Sequence, residues 1–131
     1  MTIPLWCLVI ATFLPLVWAM AGQGFRYRQF GELDNSHPRL QQSQLTGAGA
    51  RALAAQQNAW EALAMFTPAV VIEHFNGATT GHAATAAMLF IAARIFHGCF
   101  YIAELSSLRS LSWGVGTGAV IWLFVLAAHG H

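Results

Sequence analysis

The chain has 131 residues, of which 56% are hydrophobic and only 8% charged, with a formal net charge of +1 and no lysine. A soluble domain carries roughly a quarter charged residues, so this chain lacks the charge to cover a water-facing surface. Its near-neutral balance also lacks the basic patch that a nucleic-acid partner needs.

Long uncharged runs point to membrane spans, since ~20 apolar residues cross a bilayer. Residues 2–22 carry no charge and read as a first helix. Their ending, "VWAMAG", contains small residues, as at a signal-peptide cleavage site. No Lys or Arg precedes the run, however, and it is long for the apolar part of such a signal, so it is expected to stay. Residues 23–48 make a long polar connection, placed to cover a pocket mouth. A second helix is expected over about 50–75, a third over 83–104 and a fourth over 109–128. Backbone hydrogen bonding in lipid allows only helices or closed barrels, and these runs are too long for barrel strands. The expected fold is therefore all-α: one integral membrane four-helix bundle spanning 1–131, seated in the lipid bilayer. Pro15 and Pro68 fall inside helices, where they are expected to cause kinks that membrane helices tolerate.

Arginine placement orients the bundle. Arg26, Arg28 and Arg39 lie in the first connection, Arg51 lies just inside the second helix, and Arg109 lies in the last turn between helices. The stretch "EHFNGATTGH" and both chain ends have no Lys or Arg. The positive-inside rule then places both termini outside the cytoplasm. Cys7 and Cys99 fall toward opposite sides, out of reach of a disulfide, and read as small apolar fillers.

The second helix contains "RALAAQQNAWEALAMF", residues 51–66. At 100° per residue, Arg51, Asn58 and Glu61 share an arc of roughly 80°, with Gln57 at its edge and Gln56 pointing away. On the third helix Arg94, His97, Tyr101 and Glu104 share a similar arc of roughly 80°. Arg109 and Ser110 open the fourth helix at the same depth. Ionisable groups at membrane depth are costly and face protein or water. An ion pair between Glu61 and Arg94 would lock the second and third helices together. The remaining polar groups exceed that need, and a cationic pocket with donors and one carboxylate suits a small, polar, mostly anionic ligand. His74, His82, His129 and His131 all fall toward the outer side, but their spacing matches no known metal site and they read as solvated. Gly114, Gly116 and Gly118 offer small residues for close helix packing.

The pattern Arg51, Asn58, Glu61, Phe66 and Pro68 resembles the MAPEG family, the membrane-associated proteins of eicosanoid and glutathione metabolism. "DNSHPR" at 34–39 looks like the first loop of its bacterial members, and "RIFHGCFYIAELSSLRSLSW" at 94–113 is similar to the family's helix 3–4 segment. The resemblance implies a homotrimer in a bacterial inner membrane that binds glutathione between subunits as co-substrate. It also implies a transferase or peroxidase acting on a lipophilic small-molecule substrate. On that reading Arg51 and Arg94 take glutathione carboxylates and Glu61 takes the ammonium. Asn58, Tyr101 and His97 add hydrogen bonds. Arg109 stabilises the thiolate, with help from Ser110, and Trp113 walls the lipophilic side. Glutathione-using animal members often carry Arg one and four positions before the Asn, where this chain has Gln57 and Ala54, and often Tyr where it has Trp113. Arg26 or Arg28 is placed to supply a replacement cation. Some members of the family bind lipid without catalysis, which makes a non-catalytic membrane protein the alternative expectation.

Overall fold

The computed structural model describes residues 1–76 and 81–130, so residues 77–80 and His131 lie outside the described residues. The described chain forms five helices: α1 (Ile3–Phe30), α2 (Pro38–Ser43), α3 (Gly47–Phe75), α4 (Gly81–Ile102) and α5 (Ser106–Ala128). Four were expected. The additional one, the six-residue α2, lies inside the long first connection.

α1 runs two turns past the expected end at residue 22. Apolar character stops there, but Gln23, Arg26, Arg28 and Gln29 are sound helix formers. The helix ends at Gly31, whose φ of 77° is left-handed and whose N–H donates to the Tyr27 carbonyl at 2.8 Å. A left-handed cap is the conformation glycine adopts without strain. α1 and α3 are continuous helices through Pro15 and Pro68.

Three helices, α1, α4 and α5, are long and apolar enough to cross a membrane, which makes this a membrane protein. α3, the fourth expected span, is not among them, because its glutamines, Asn58, Glu61 and Glu73 lower its hydropathy. Its 29 residues still reach ~44 Å at 1.5 Å per residue. It is the central helix, packed against α1, α4 and α5, while α1 also meets α4 and α4 meets α5. Its buried stripe is mostly small: Ala52, Ala55, Ala59, Ala62 and Ala69, with Phe66 and Val70. Small residues let helix backbones approach closely, which gains dispersion contacts where lipid supplies no hydrophobic drive. At mid-bundle Phe66 stacks on Phe90 of α4, with ring centroids 3.9 Å apart.

Two glutamine side chains fasten the first connection. Gln29 donates to the Gln44 carbonyl and accepts from the Thr46 N–H, both at 3.1 Å. Buried Gln41 donates to the Glu32 carbonyl at 3.1 Å and accepts from the Asp34 N–H at 3.0 Å. At the opposite end, Asn76 donates to the Ala127 carbonyl at 3.0 Å and ties α3 to α5.

The α4–α5 turn differs most from expectation. α4 stops at Ile102, and Glu104 sits beyond it with φ 62°. The Leu105 N–H donates to the Phe100 carbonyl at 2.9 Å, and the Glu104 N–H to the Tyr101 carbonyl at 3.2 Å. This is a Schellman cap with glutamate in glycine's place. Glu104 therefore leaves the helical stripe it was expected to share with Arg94, His97 and Tyr101.

Candidate functional site

Asn58 on α3 joins the two stripes. Its side-chain carbonyl accepts a short hydrogen bond from Arg94, and its amide donates to Glu61 at 3.3 Å. Arg94 also reaches His97 Nδ1 at 3.3 Å. An arginine can only donate, so Nδ1 accepts in this contact and the neutral ring carries its proton on Nε2. Glu61 and Arg94 thus meet through an amide, and the direct ion pair expected between them is not formed. Arg94 and His97 are buried, while Glu61 is exposed. The Arg94 Nε is buried and has no hydrogen-bond partner.

Gly116 makes room for the arginine: a Cβ there would stand 3.4 Å from the Arg94 Cδ. One turn along α4, the His97 and Tyr101 rings meet edge to face at 5.6 Å. Arg109 of α5 lies over the Tyr101 ring, its guanidinium carbon 4.5 Å from the centroid. Such a cation–π contact holds the charge in place while leaving its donors free.

Two adjoining cavities open on this network. One, of about 420 Å³, is lined by Asn58, Glu61 and Arg94 at its polar end and by Met65, Phe90 and Val120 along its apolar wall. The other, of about 220 Å³, is lined by Asn58, His97, Tyr101, Arg109, Ser110 and Trp113. Asn58 and Trp113 border both. The structure therefore brings together seven of the eight expected site residues: Asn58, Glu61, Arg94, His97, Tyr101, Arg109 and Ser110.

Arg51 is the exception. Its Nε donates to the Ile102 carbonyl at 2.9 Å, and a terminal nitrogen lies 3.6 Å from a Glu104 oxygen. It lines neither cavity and fastens α3 to the end of α4. Arg109 and Ser110 also sit deeper in their helix than expected. α5 starts at Ser106, and the Arg109 N–H is already bonded to the Leu105 carbonyl at 2.9 Å. The free amides of the helix N-terminus thus lie a turn before Arg109. Of the two arginines left open in α1, Arg26 is buried and Arg28 exposed, and neither borders these cavities.

Two features went unread in the sequence. Glu73 is fully buried in α3, and neither of its carboxylate oxygens has a hydrogen-bond partner. Its place on the stripe 66, 69, 70, 73 was the available signal. Trp18 of α1 forms a buried cluster with Ala55 and Ala59, against which Tyr101 and Ile102 pack. Among the described residues no three His, Cys, Asp or Glu side chains come together as a metal site. His74, His82 and His129 stay apart from one another in that sense, and His131 lies outside the described residues.

The fold and site define a membrane-embedded helical protein with a charged, hydrogen-bonded cavity recessed among its helices. A family model, the MAPEG family, matches residues 3–129, and the chain belongs to that family. The family includes glutathione transferases and peroxidases as well as non-catalytic members. No curated protein and no solved structure matches the chain at a significant level.

Proposed function

We propose that the protein is a glutathione-dependent transferase or peroxidase that acts on lipophilic electrophiles from the bilayer. The observation that carries this reading is the pair of cavities joined at Asn58 and Trp113, one holding a carboxylate and an arginine, the other a second arginine. Glutathione is a zwitterion with a thiol some distance from its charged ends. Glu61 would hold its ammonium and Arg94 a carboxylate, engaging the free Nε donor. A buried unsatisfied donor costs ~1–3 kcal/mol, so an acceptor that meets it gains affinity. The thiol would then reach Arg109 and Ser110, where a cation favours the thiolate, the form that attacks electrophiles. Arg51, engaged with Glu104 and Ile102, contributes by fixing the end of α4. In this reading the active form is a homotrimer in a bacterial inner membrane with both termini outside the cytoplasm.

The second reading is a non-catalytic membrane protein. It is favoured by the hydrogen bonds through which Asn58 joins Arg94 and Glu61, a network that can serve to hold α3 to α4. Glutathione titration separates the two. The purified protein in detergent should bind glutathione at millimolar concentration and show thiolate absorbance that Arg109→Ala abolishes. No binding at that concentration removes the enzyme reading.

A further inference from the structure

Trp18 sits in a socket built from very small residues. On α3 these are Ala55 and Ala59, and on α4 it is Gly98. A Cβ added to Gly98 would fall within 2.8 Å of the indole Cη2 and nearer still to the neighbouring ring atoms. No side chain larger than hydrogen fits there with the ring in place. Among the described residues Trp18 is the only α1 member of this cluster, against which Tyr101 and Ile102 pack. Two of the three socket residues adjoin a residue of the site in sequence: Ala59 follows Asn58 and Gly98 follows His97, while Tyr101, packed against the cluster, is itself a wall of the smaller cavity. The indole therefore wedges between α3 and α4 beside residues that directly follow Asn58 and His97 in the chain. Tyr101, whose ring carries Arg109, packs against the cluster that the indole forms with Ala55 and Ala59.

We infer that Trp18 is a positioning residue for the site: through the cluster it shares with Tyr101 it sets the Tyr101 ring plane, and through that ring the placement of the Arg109 guanidinium. This rests on the glutathione reading above. The charged ends of glutathione would bind to groups in the larger cavity, which the indole does not back. The thiolate would depend on Arg109, which it does support indirectly. Loosening the wedge should thus affect the sulfur and leave affinity largely alone.

The test uses the whole protein in detergent with glutathione and a general electrophile. It compares Trp18→Phe, Gly98→Ala and, as a control, Trp6→Phe, since Trp6 is exposed on the same helix. Trp18→Phe and Gly98→Ala should lower the thiolate signal and kcat by about tenfold or more, within the range that a ~1 Å displacement costs. The glutathione Kd should stay within about twofold, because the binding groups are untouched. Trp6→Phe should change neither. If affinity and thiolate fall in the same proportion, or if neither moves, the inference is overturned. Trp18→Phe only removes volume and decides the matter if Gly98→Ala does not fold. A wild-type protein that binds no glutathione refutes the enzyme reading alone. In that case the NMR signals of the His97 ring nitrogens and the Tyr101 ring must still shift in Trp18→Phe, and unchanged signals overturn the wedge.

Discussion

Asn58 is the residue through which the site's two opposite charges meet. Replacing it with leucine takes from the Arg94 guanidinium its Asn58 acceptor, leaving His97 Nδ1, and takes from Glu61 its donor. That should cost ~1–3 kcal/mol for the buried arginine and weaken glutathione binding, read by thermal unfolding and by titration. Asn58→Asp should retain the arginine contact but set a second carboxylate beside Glu61, so it should bind glutathione less well than wild type while unfolding at a similar temperature. Glu104 offers a test of backbone against charge. Its left-handed conformation costs ~1–2 kcal/mol relative to glycine, and its exposed pair with Arg51 contributes ~0–1 kcal/mol. Glu104→Gly should therefore raise the unfolding temperature or leave it unchanged, and Glu104→Ala, which keeps the strain and loses the pair, should lower it. Asp34, in the first connection, accepts from the N–H groups of His37 at 2.9 Å and Ser36 at 3.0 Å, and these hold its carboxyl below the usual range. A depressed folded pKa contributes stability above the unfolded value of ~3.9 that is lost as pH falls through the lower folded value. Amide exchange at Ser36 and His37 should stay slow at pH 4 and quicken only below it. At this scale, helical phase made Asn58, Glu61, Arg94, His97 and Tyr101 legible in the sequence. The Trp18 socket was not, because Ala55, Ala59 and Gly98 carry no chemistry of their own and gain meaning only from an indole some forty to eighty residues away.

The four long helices were legible, but α2 and the helix ends were not. The apolar pattern reports the edge of the hydrocarbon, whereas a helix stops where its last carbonyls find other partners. At the end of α1 that is the Gly31 cap, and at the end of α4 it is the Schellman turn, which removed Glu104 from its expected stripe. Arg51 shared its helical arc with Asn58 and Glu61, as the sequence indicated. It lies two turns nearer the helix start, however, and so meets the end of α4 and not the cavities. The contacts between elements make their own predictions. Gly116→Val should push against the Arg94 Cδ and reduce glutathione affinity, while Gly114→Val, at a position with open space around it, should not. A difference in Kd between the two variants checks this. Asn76→Ala removes the tie to the Ala127 carbonyl, so hydrogen exchange should quicken at the adjoining ends of α3 and α5 without altering the site.

The molecule as a whole is expected to sit with its first connection in the cytoplasm. A single cysteine introduced at Asn35, in a background where Cys7 and Cys99 are serine, should react with an impermeant thiol reagent from the cytoplasmic face only. A tag after residue 131 should be reached only from the other face. Composition made the membrane setting plain, but it did not show that one helix would stand apart from the rest. α3 alone falls short of an apolar span, yet it lies at the centre, touching α1, α4 and α5. That has a consequence for biogenesis. A charged residue at mid-membrane costs ~2.5–3.5 kcal/mol at insertion, so α3 released alone into lipid would have nothing to offset Glu61 and Glu73. It is therefore expected to be held beside α1, the helix made before it and packed against it, until α4 brings Arg94 to Asn58 and Glu61. The contacts between α1 and α3 are then made during synthesis, and changes there should appear first as lost yield and degraded chain, before any measurement on the finished protein registers them.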